Sequence, residues 1–286
     1  VPAVVQRYGG YYHRLSEQGA SLHDRALRGD YLDEFKTSYP FHPELIRVLN
    51  LKVATIPNFQ RTRGALRLLA NVVRALWEEQ PKNAWLIHPY HVDLSKPAIV
   101  EDLTSRLDRP KFKQVCEADI VSPVLGIPSH AAEVDRPLLA SGKPPYARRL
   151  ATTILLHSLT QGIASGVEAP ELLLATLTPT EKDGDDPAVA GRALERLYQT
   201  AWFLEYDGFR YRFKTEPSLN KIVEDETPLV GLTRAKQEVE ERVRRIWRAG
   251  FMKPIPFPST PAEVDDDAGK PKLVIMHFDA VKLKAD

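Results

Sequence analysis

The chain has 286 residues, 43% hydrophobic and 27% charged, with a formal net charge of +1. So even a balance gives no global electrostatic case for nucleic acid or an anionic membrane, and any such site must be local. The single Cys116 excludes an intrachain disulfide and a cysteine zinc cluster, and it fits a reducing cytoplasm. No stretch approaches the roughly 20 apolar residues needed to span a bilayer, and no signal peptide is visible. The length holds two modest domains. The first residue is Val1 rather than Met, which fits an excised or processed piece.

Residues 3–36 read as helices. Val4, Val5, Tyr8, Tyr11, Tyr12 and Leu15 form one helical stripe, interrupted by Gly9 and Gly10. Shorter helices follow at Leu22 to Leu27 and Tyr31 to Phe35. Tyr39-Pro-Phe-His-Pro43 is a turn, because each proline biases its predecessor away from helix. His42 then stands at a helix start, where a structural turn role outweighs a ligand role, and Glu44 complements the helix dipole.

The strongest helix signal lies in the stretch from Phe59 to Trp77. Leu66, Leu69, Ala70, Val73, Leu76 and Trp77 predict one buried face. On a helical wheel Arg63, Arg67 and Arg74 fall within about 40° of one another at the border of that face. Planar guanidinium forks match phosphate oxygens, so the stripe suits an anionic ligand. A solvated or carboxylate-paired basic edge is the other reading of the same spacing.

The string Tyr39-Pro-Phe-His-Pro-Glu-Leu-Ile46, with Phe59-Gln-Arg-Thr-Arg-Gly-Ala-Leu-Arg-Leu-Leu-Ala70, resembles a family of large prokaryotic AAA+ ATPases. The family includes the PglY-like proteins of BREX-type phage defence. The resemblance implies that this stretch lies in the helical lid after a nucleotide-binding core. It also implies that Gly64-x-x-Arg67 is a sensor-2-like element, with Arg67 reaching nucleotide phosphates and Arg63 next in line for that role. Yet no Gly-x-x-x-x-Gly-Lys-Ser/Thr loop occurs in the chain. ATP and Mg would therefore act only through a core domain outside it.

Ala84-Trp-Leu-Ile87 reads as a short strand or extended piece. His88, His91 and Asp93 have a spacing that invites a metal, but Pro89 prevents a regular helix and no second ligand-rich segment is evident, so no metal is assigned. The family resemblance implies a helix at Ile99 to Leu107, and another is expected at Lys111 to Ala118, followed by an apolar, Pro/Gly-broken stretch from Ile120 to Pro128. His130 to Pro145 reads as a connection and as the best domain boundary.

From Tyr146 the pattern changes. Helices are expected at Ala147 to Ser158, Glu168 to Leu177 and from Pro187, with Asp186 as N-cap and Val189, Ala193, Leu194, Leu197 and Tyr198 buried. Asp207-Gly208 predicts a two-residue hairpin turn that pairs Tyr206 with Phe209, Glu205 with Arg210 and Leu204 with Tyr211. One face would carry Trp202, Leu204, Tyr206, Phe209, Tyr211 and Phe213, and the other Phe203, Glu205, Arg210, Arg212 and Lys214. Three helices and a two-stranded wing make a winged helix, which also follows the lid in origin-recognition-like AAA+ proteins. Arg210, Arg212 and Lys214 of the wing, with Arg192 and Arg196 of the third helix, are candidate contacts to duplex DNA. Glu195 and Glu205 temper that charge, and winged helices also bind proteins.

Leu232 to Ala249 is a charged amphipathic helix with Val239, Val243, Ile246 and Trp247 as its stripe and Gly250 as C-cap. A Pro-rich linker over Lys253 to Pro261, the solvated acidic run Asp265-Asp266-Asp267 and a strand over Leu273 to Phe278 complete the chain.

The expected fold is mainly α with small β (α+β). A helical, AAA+-lid-like domain covers 1–130 and a winged helix-turn-helix covers 146–224. An amphipathic helix, a Pro-rich linker and a strand cover 229–286. No catalytic residue is assigned, since neither Ser158 nor Ser165 lies in a nucleophile elbow. The functional expectation is the C-terminal, lid plus winged-helix portion of an AAA+-type ATPase, sensing nucleotide and coupling it to DNA or a partner in phage defence, in the cytoplasm and away from membranes. The alternative is a stand-alone winged-helix DNA-binding or protein-interaction adaptor.

Overall fold

The computed structural model describes residues 1–277 apart from 82–83, 161, 163–164, 181–183, 247–250, 266–268 and 270. The fold is mainly α with two small two-stranded sheets. The chain divides into two compact units, Val1–Ile222 and Val223–Asp286.

The first unit opens with α1 (Pro2–Glu17), whose Tyr8, Tyr11, Tyr12 and Leu15 are buried as the stripe predicts. A 3-10 turn at Asp24–Leu27 replaces the short helix expected there. Next come α2 (Gly29–Ser38) and α3 (Pro43–Leu51). His42 caps α3 by accepting from the Glu44 N–H at Nδ1 (3.2 Å). The expected strand at Ala84 to Ile87 reduces to one parallel rung between Phe41 and Ile87.

Helix α4 (Arg61–Glu79) forms, but it buries a different face from the one predicted. Leu68, Val72 and Ala75 are buried, Leu69 and Leu76 partly so, and the helix packs against α5 (Pro97–Leu103). Leu66 (63% exposed), Val73 (41%) and Trp77 (77%) face solvent. The helix is apolar on two adjoining faces, and periodicity alone cannot say which the core takes.

Helix α6 (Phe112–Val115) runs directly into a π-helical turn, Cys116–Ile120. The wider turn places Asp119 fully inside, where its carboxylate accepts from the Trp202 N–H (3.0 Å) and the Phe203 N–H (2.8 Å) and meets His130 Nδ1 (2.7 Å). A buried carboxylate needs such partners. The expected connection over His130 to Pro145 is corrected by α7 (His130–Ala140). Ser129 caps this helix, and Ala131, Val134 and Asp135 are buried. Small residues and Pro137 hid the helix, whose stability comes from packing on α8 (Tyr146–Ser158). Asp135 accepts from the N–H groups of Ala147 (2.8 Å) and Arg148 (2.9 Å) and so caps α8 from outside it.

Helices α9 (Ala169–Thr176) and α10 (Pro187–Thr200) follow, with Asp186 capping α10 as expected. The hairpin of β1 (Leu204–Tyr206) and β2 (Tyr211–Phe213) has a register two residues away from the predicted one. Tyr206 faces Tyr211, Glu205 faces Arg212 and Leu204 faces Phe213. The loop is Asp207 to Arg210, because the Asp207 carboxylate accepts from the N–H groups of Phe209 (3.0 Å) and Arg210 (2.8 Å) and widens the turn. A slip of two leaves face alternation intact, but Phe203, expected on the outer face, is buried. Val167 adds an antiparallel rung to Tyr211. The preceding Gly166 has a φ of 92°, and a Cβ there would stand 2.8 Å from the Tyr211 carbonyl oxygen.

One hydrophobic cluster runs from Val5 through Leu150 to Phe213. The hairpin is held by Lys221, whose ammonium donates to the carbonyls of Tyr198, Ala201 (3.0 Å) and Leu204 (2.9 Å) and lies 4.5 Å from the Tyr198 ring centre. Replacing Lys221 by Met is expected to remove about 2 kcal/mol of stability, the worth of charge-assisted bonds to otherwise orphaned carbonyls. Chemical denaturation would measure the loss.

The unit division falls within α11 (Leu219–Val230). In the second unit α12 (Leu232–Ile246) has no buried residue and carries exposed i, i+4 pairs, Glu238 with Arg242 (2.8 Å) and Glu241 with Arg245 (3.1 Å). The expected Pro-rich linker contains β3 (Lys253–Pro256), which pairs in parallel with β4 (Lys272–Ile275). Asp265 pairs with Lys253 (2.9 Å). Trp247, Gly250, Asp266, Asp267 and Phe278 lie outside the described residues.

Candidate functional site

Arg63, Arg67 and Arg74 of α4 differ in what they meet. Arg67 Nε donates to Asp102 Oδ1 at 2.8 Å, and Asp102 is 3% exposed. Arg106 (3.4 Å) and Asn71 (3.0 Å) reach the same carboxylate. Arg67 is thus engaged by a buried acid that nothing in the sequence links to it. Arg63 and Arg74 are exposed and form no ion pair with a carboxylate among the described residues. Gly64 lies against the Phe59 carbonyl, which supplies a packing reason for glycine there.

The cations proposed for DNA also separate into two groups. Those on the hairpin are neutralised within the chain. Arg212 pairs with Glu205 (2.9 Å) and Asp207 (3.6 Å), Lys214 with Glu205 (2.5 Å) and Arg210 with Glu168 (3.5 Å). The observed register makes Arg212, not Arg210, the cross-strand neighbour of Glu205. Arg192 and Arg196 stand one turn apart on the exposed side of α10. With Lys143 and Ser141 they rim a depression of about 230 Å³ floored by Val134 and Leu138. No carboxylate among the described residues pairs with Arg192, Arg196 or Lys143. Sequence reasoning missed Lys143, which lies in a loop far along the chain and reaches α10 only because α7 packs on it.

Beneath these faces lies a buried aromatic and histidine network. The His88 ring stacks on that of His42 with centroids 4.2 Å apart. His88 Nδ1–H donates to the Ala175 carbonyl (2.8 Å), which leaves Nε2 to accept from the Tyr8 hydroxyl (2.7 Å). His42 Nδ1 is an acceptor, so its Nε2–H donates to the Tyr12 oxygen (3.0 Å), and Tyr12 donates to the Leu174 carbonyl (3.4 Å). His91 Nδ1 accepts from the His88 N–H (2.8 Å). Both neutral rings at His42 and His88 are fully partnered by protein groups, so the network ties α1 and α3 to α9. Burial drives the pKa values of His42 and His91 down to about 3, with His91 adding to the effect on His42 and Arg149 to that on His91. Burial also pushes His88 well down.

A second buried group surrounds Glu44, which accepts from Arg25 (3.3 Å) and the Tyr31 hydroxyl (3.0 Å). Arg25 also binds Glu171 (3.1 Å), joining α3 to α9. Burial raises Glu44 to about 7 despite the opposing Arg25 charge. The Asp185 carboxylate accepts from Arg149 (2.8 Å), the Tyr146 hydroxyl (3.2 Å) and the Thr178 N–H (3.0 Å). These groups are satisfied internally, and their arrangement is that of a structural lock.

The chain is thus a mainly helical protein with a small hairpin and exposed basic faces on α4 and α10. Residues 16–178 match the family described as DUF499 second domain, and the chain belongs to that family. The match runs from the end of α1 past α9, so α10 and the hairpin lie beyond it. No curated protein and no solved structure matches the chain significantly. Among the described residues no helix is long and apolar enough to cross a membrane.

Proposed function

We propose that this chain is the lid-plus-winged-helix portion of an AAA+-type ATPase, and that it meets duplex DNA through α10. The resemblance to PglY-like proteins of phage defence supports the ATPase context, in which ATP and Mg sit on a core domain outside the chain, in the cytoplasm. Helix, single rung, two helices and hairpin, in that order from α8 to β2, support the winged helix. The observation that carries the DNA reading is the contrast in charge. Arg192, Arg196 and Lys143 have no described carboxylate partner, whereas Arg210, Arg212 and Lys214 do. Free guanidinium groups one helical turn apart suit successive phosphates.

Fluorescence anisotropy with a labelled duplex tests this reading. Binding at about 50 mM salt is expected to weaken as salt rises, with a logarithmic slope near −3 for three phosphate contacts. Replacing Arg192 and Arg196 together by Ala is expected to cost roughly tenfold or more in affinity and to flatten the slope by about 2. The pair Arg210→Ala and Arg212→Ala should change little. No duplex binding at low salt, or a larger loss from the wing pair, would defeat the proposal.

A second reading keeps α4 for nucleotide. It is favoured by the exposed Arg63 and Arg74, which pair with no carboxylate among the described residues, while Arg67 would first have to leave Asp102. It predicts weaker ATP affinity in the complete ATPase on substituting Arg63 and Arg74, and a smaller effect from Arg67→Ala.

A further inference from the structure

The face that α4 turns outward calls for an occupant. Leu66, Val73 and Trp77 recur at i, i+7 and i+11, a line about 16 Å long at 1.5 Å per residue. Leu69 and Ala70 fill the gaps, and Phe41 forms a wall, so the surface is a shallow depression of about 510 Å³. A tryptophan 77% exposed in a contiguous apolar patch is unusual, and such residues anchor interfaces. Cationic groups lie along one edge of the helix. Arg74 lines the depression, and Arg63 sits three turns back on the same side. Neither pairs with a described carboxylate.

We infer that this groove receives an amphipathic α-helix from a partner protein, with carboxylates along one flank. A three-turn apolar trough fits the i, i+3, i+4, i+7 anchors of a helix laid into a groove. The one-sided pair of arginines selects acidic residues about three turns apart and sets the direction in which the helix lies. The concave shape, walled by Phe41, suits a helix better than a lipid surface, which takes a convex apolar face. This inference assigns Arg63 and Arg74 to carboxylates rather than to nucleotide phosphates and is independent of the DNA reading at α10.

The test titrates the full chain with a synthetic helical peptide carrying leucines at i, i+3, i+4 and i+7 and glutamates on its flanks. Tryptophan emission should shift to the blue with a micromolar midpoint, and Trp77→Phe should abolish the shift while leaving the thermal melt unchanged. Arg63→Glu with Arg74→Glu should weaken the peptide at least tenfold and transfer preference to a lysine-flanked analogue. ATP should leave the titration unchanged. Equal binding of acidic and basic peptides, no binding, or displacement by ATP overturns the proposal. So does a blue shift with anionic vesicles alone, or a concentration-dependent dimer that Trp77→Glu dissolves, which would make the occupant a second copy.

Discussion

Gly64→Ala is expected to cost more than about 3 kcal/mol, among the larger effects a single methyl can have. A Cβ at Gly64 would stand 1.7 Å from the Phe59 carbonyl oxygen and 2.9 Å from its carbon. Both partners in that clash are backbone, so no side-chain rotation relieves it. The approach is set by Gln60, which takes a left-handed conformation (φ 56°) at the N-cap of α4 and folds Phe59 back over the first turn. Phe59 is itself buried and cannot yield without opening the core. Gly10→Ala is the control. It lies in α1 with nothing within 4 Å of the added methyl, and is expected to gain about 0.5–1 kcal/mol through helix propensity and chain entropy. Urea denaturation of the two variants reads both changes. A neutral Gly64→Ala would mean that the close approach is not present in solution.

Acid is expected to unfold the chain with an unusual profile. His42 and His91 have folded pKa values near 3 against 6.5 for the free ring. For a base with a depressed pKa, the stability of the buried neutral form is complete above 6.5. It is lost as pH falls towards 3, on the order of 4 kcal/mol for each ring. His88 and His157, also pushed down by burial, add to the loss. Glu44 and Asp135 act in the opposite sense. Burial raises them to about 7 and about 6, so their protonated forms favour folding as pH falls from those values to about 4.5 and 3.8. Thermal melts should therefore show a shallow decline from pH 6.5 to about 4.5 and a steep one below, where carboxyl protonation has little more to add. Glu44→Gln removes one opposing group and should move the steep decline towards pH 6.5. A stability flat to pH 3 would show that the histidines are not buried as described.

Much of the helical layout was legible in the residues. The tyrosine stripe of α1, the His42 start of α3, the Asp186 cap with its Pro187 and the apolar face of α10 each rest on contacts within a few positions. The hairpin strands were legible too, but their register turned on whether the Asp207 carboxylate would bind the N–H groups of Phe209 and Arg210. That bond competes with the tight two-residue turn, and a dipeptide signal does not weigh it. Helix α7 was missed because its reasons for forming lie elsewhere, in the surface of α8 and in the capping role of Asp135.

The candidate faces divide in the same way. Local spacing by itself determined that Arg63, Arg67 and Arg74 share an edge of α4 and that Arg192 and Arg196 share a face of α10, since helix geometry follows from sequence position. Only the tertiary structure decided which of these cations are already spent. Asp102 meets Arg67 across 35 positions, and Glu168 meets Arg210 across 42. It also decided that Leu66, Val73 and Trp77 face outward, because two adjoining faces of α4 are apolar and the choice between them depends on what α5 and its neighbours present. An amphipathic pattern states how much apolar surface a helix has to cover. Which part is covered from within depends on packing partners distant in the chain.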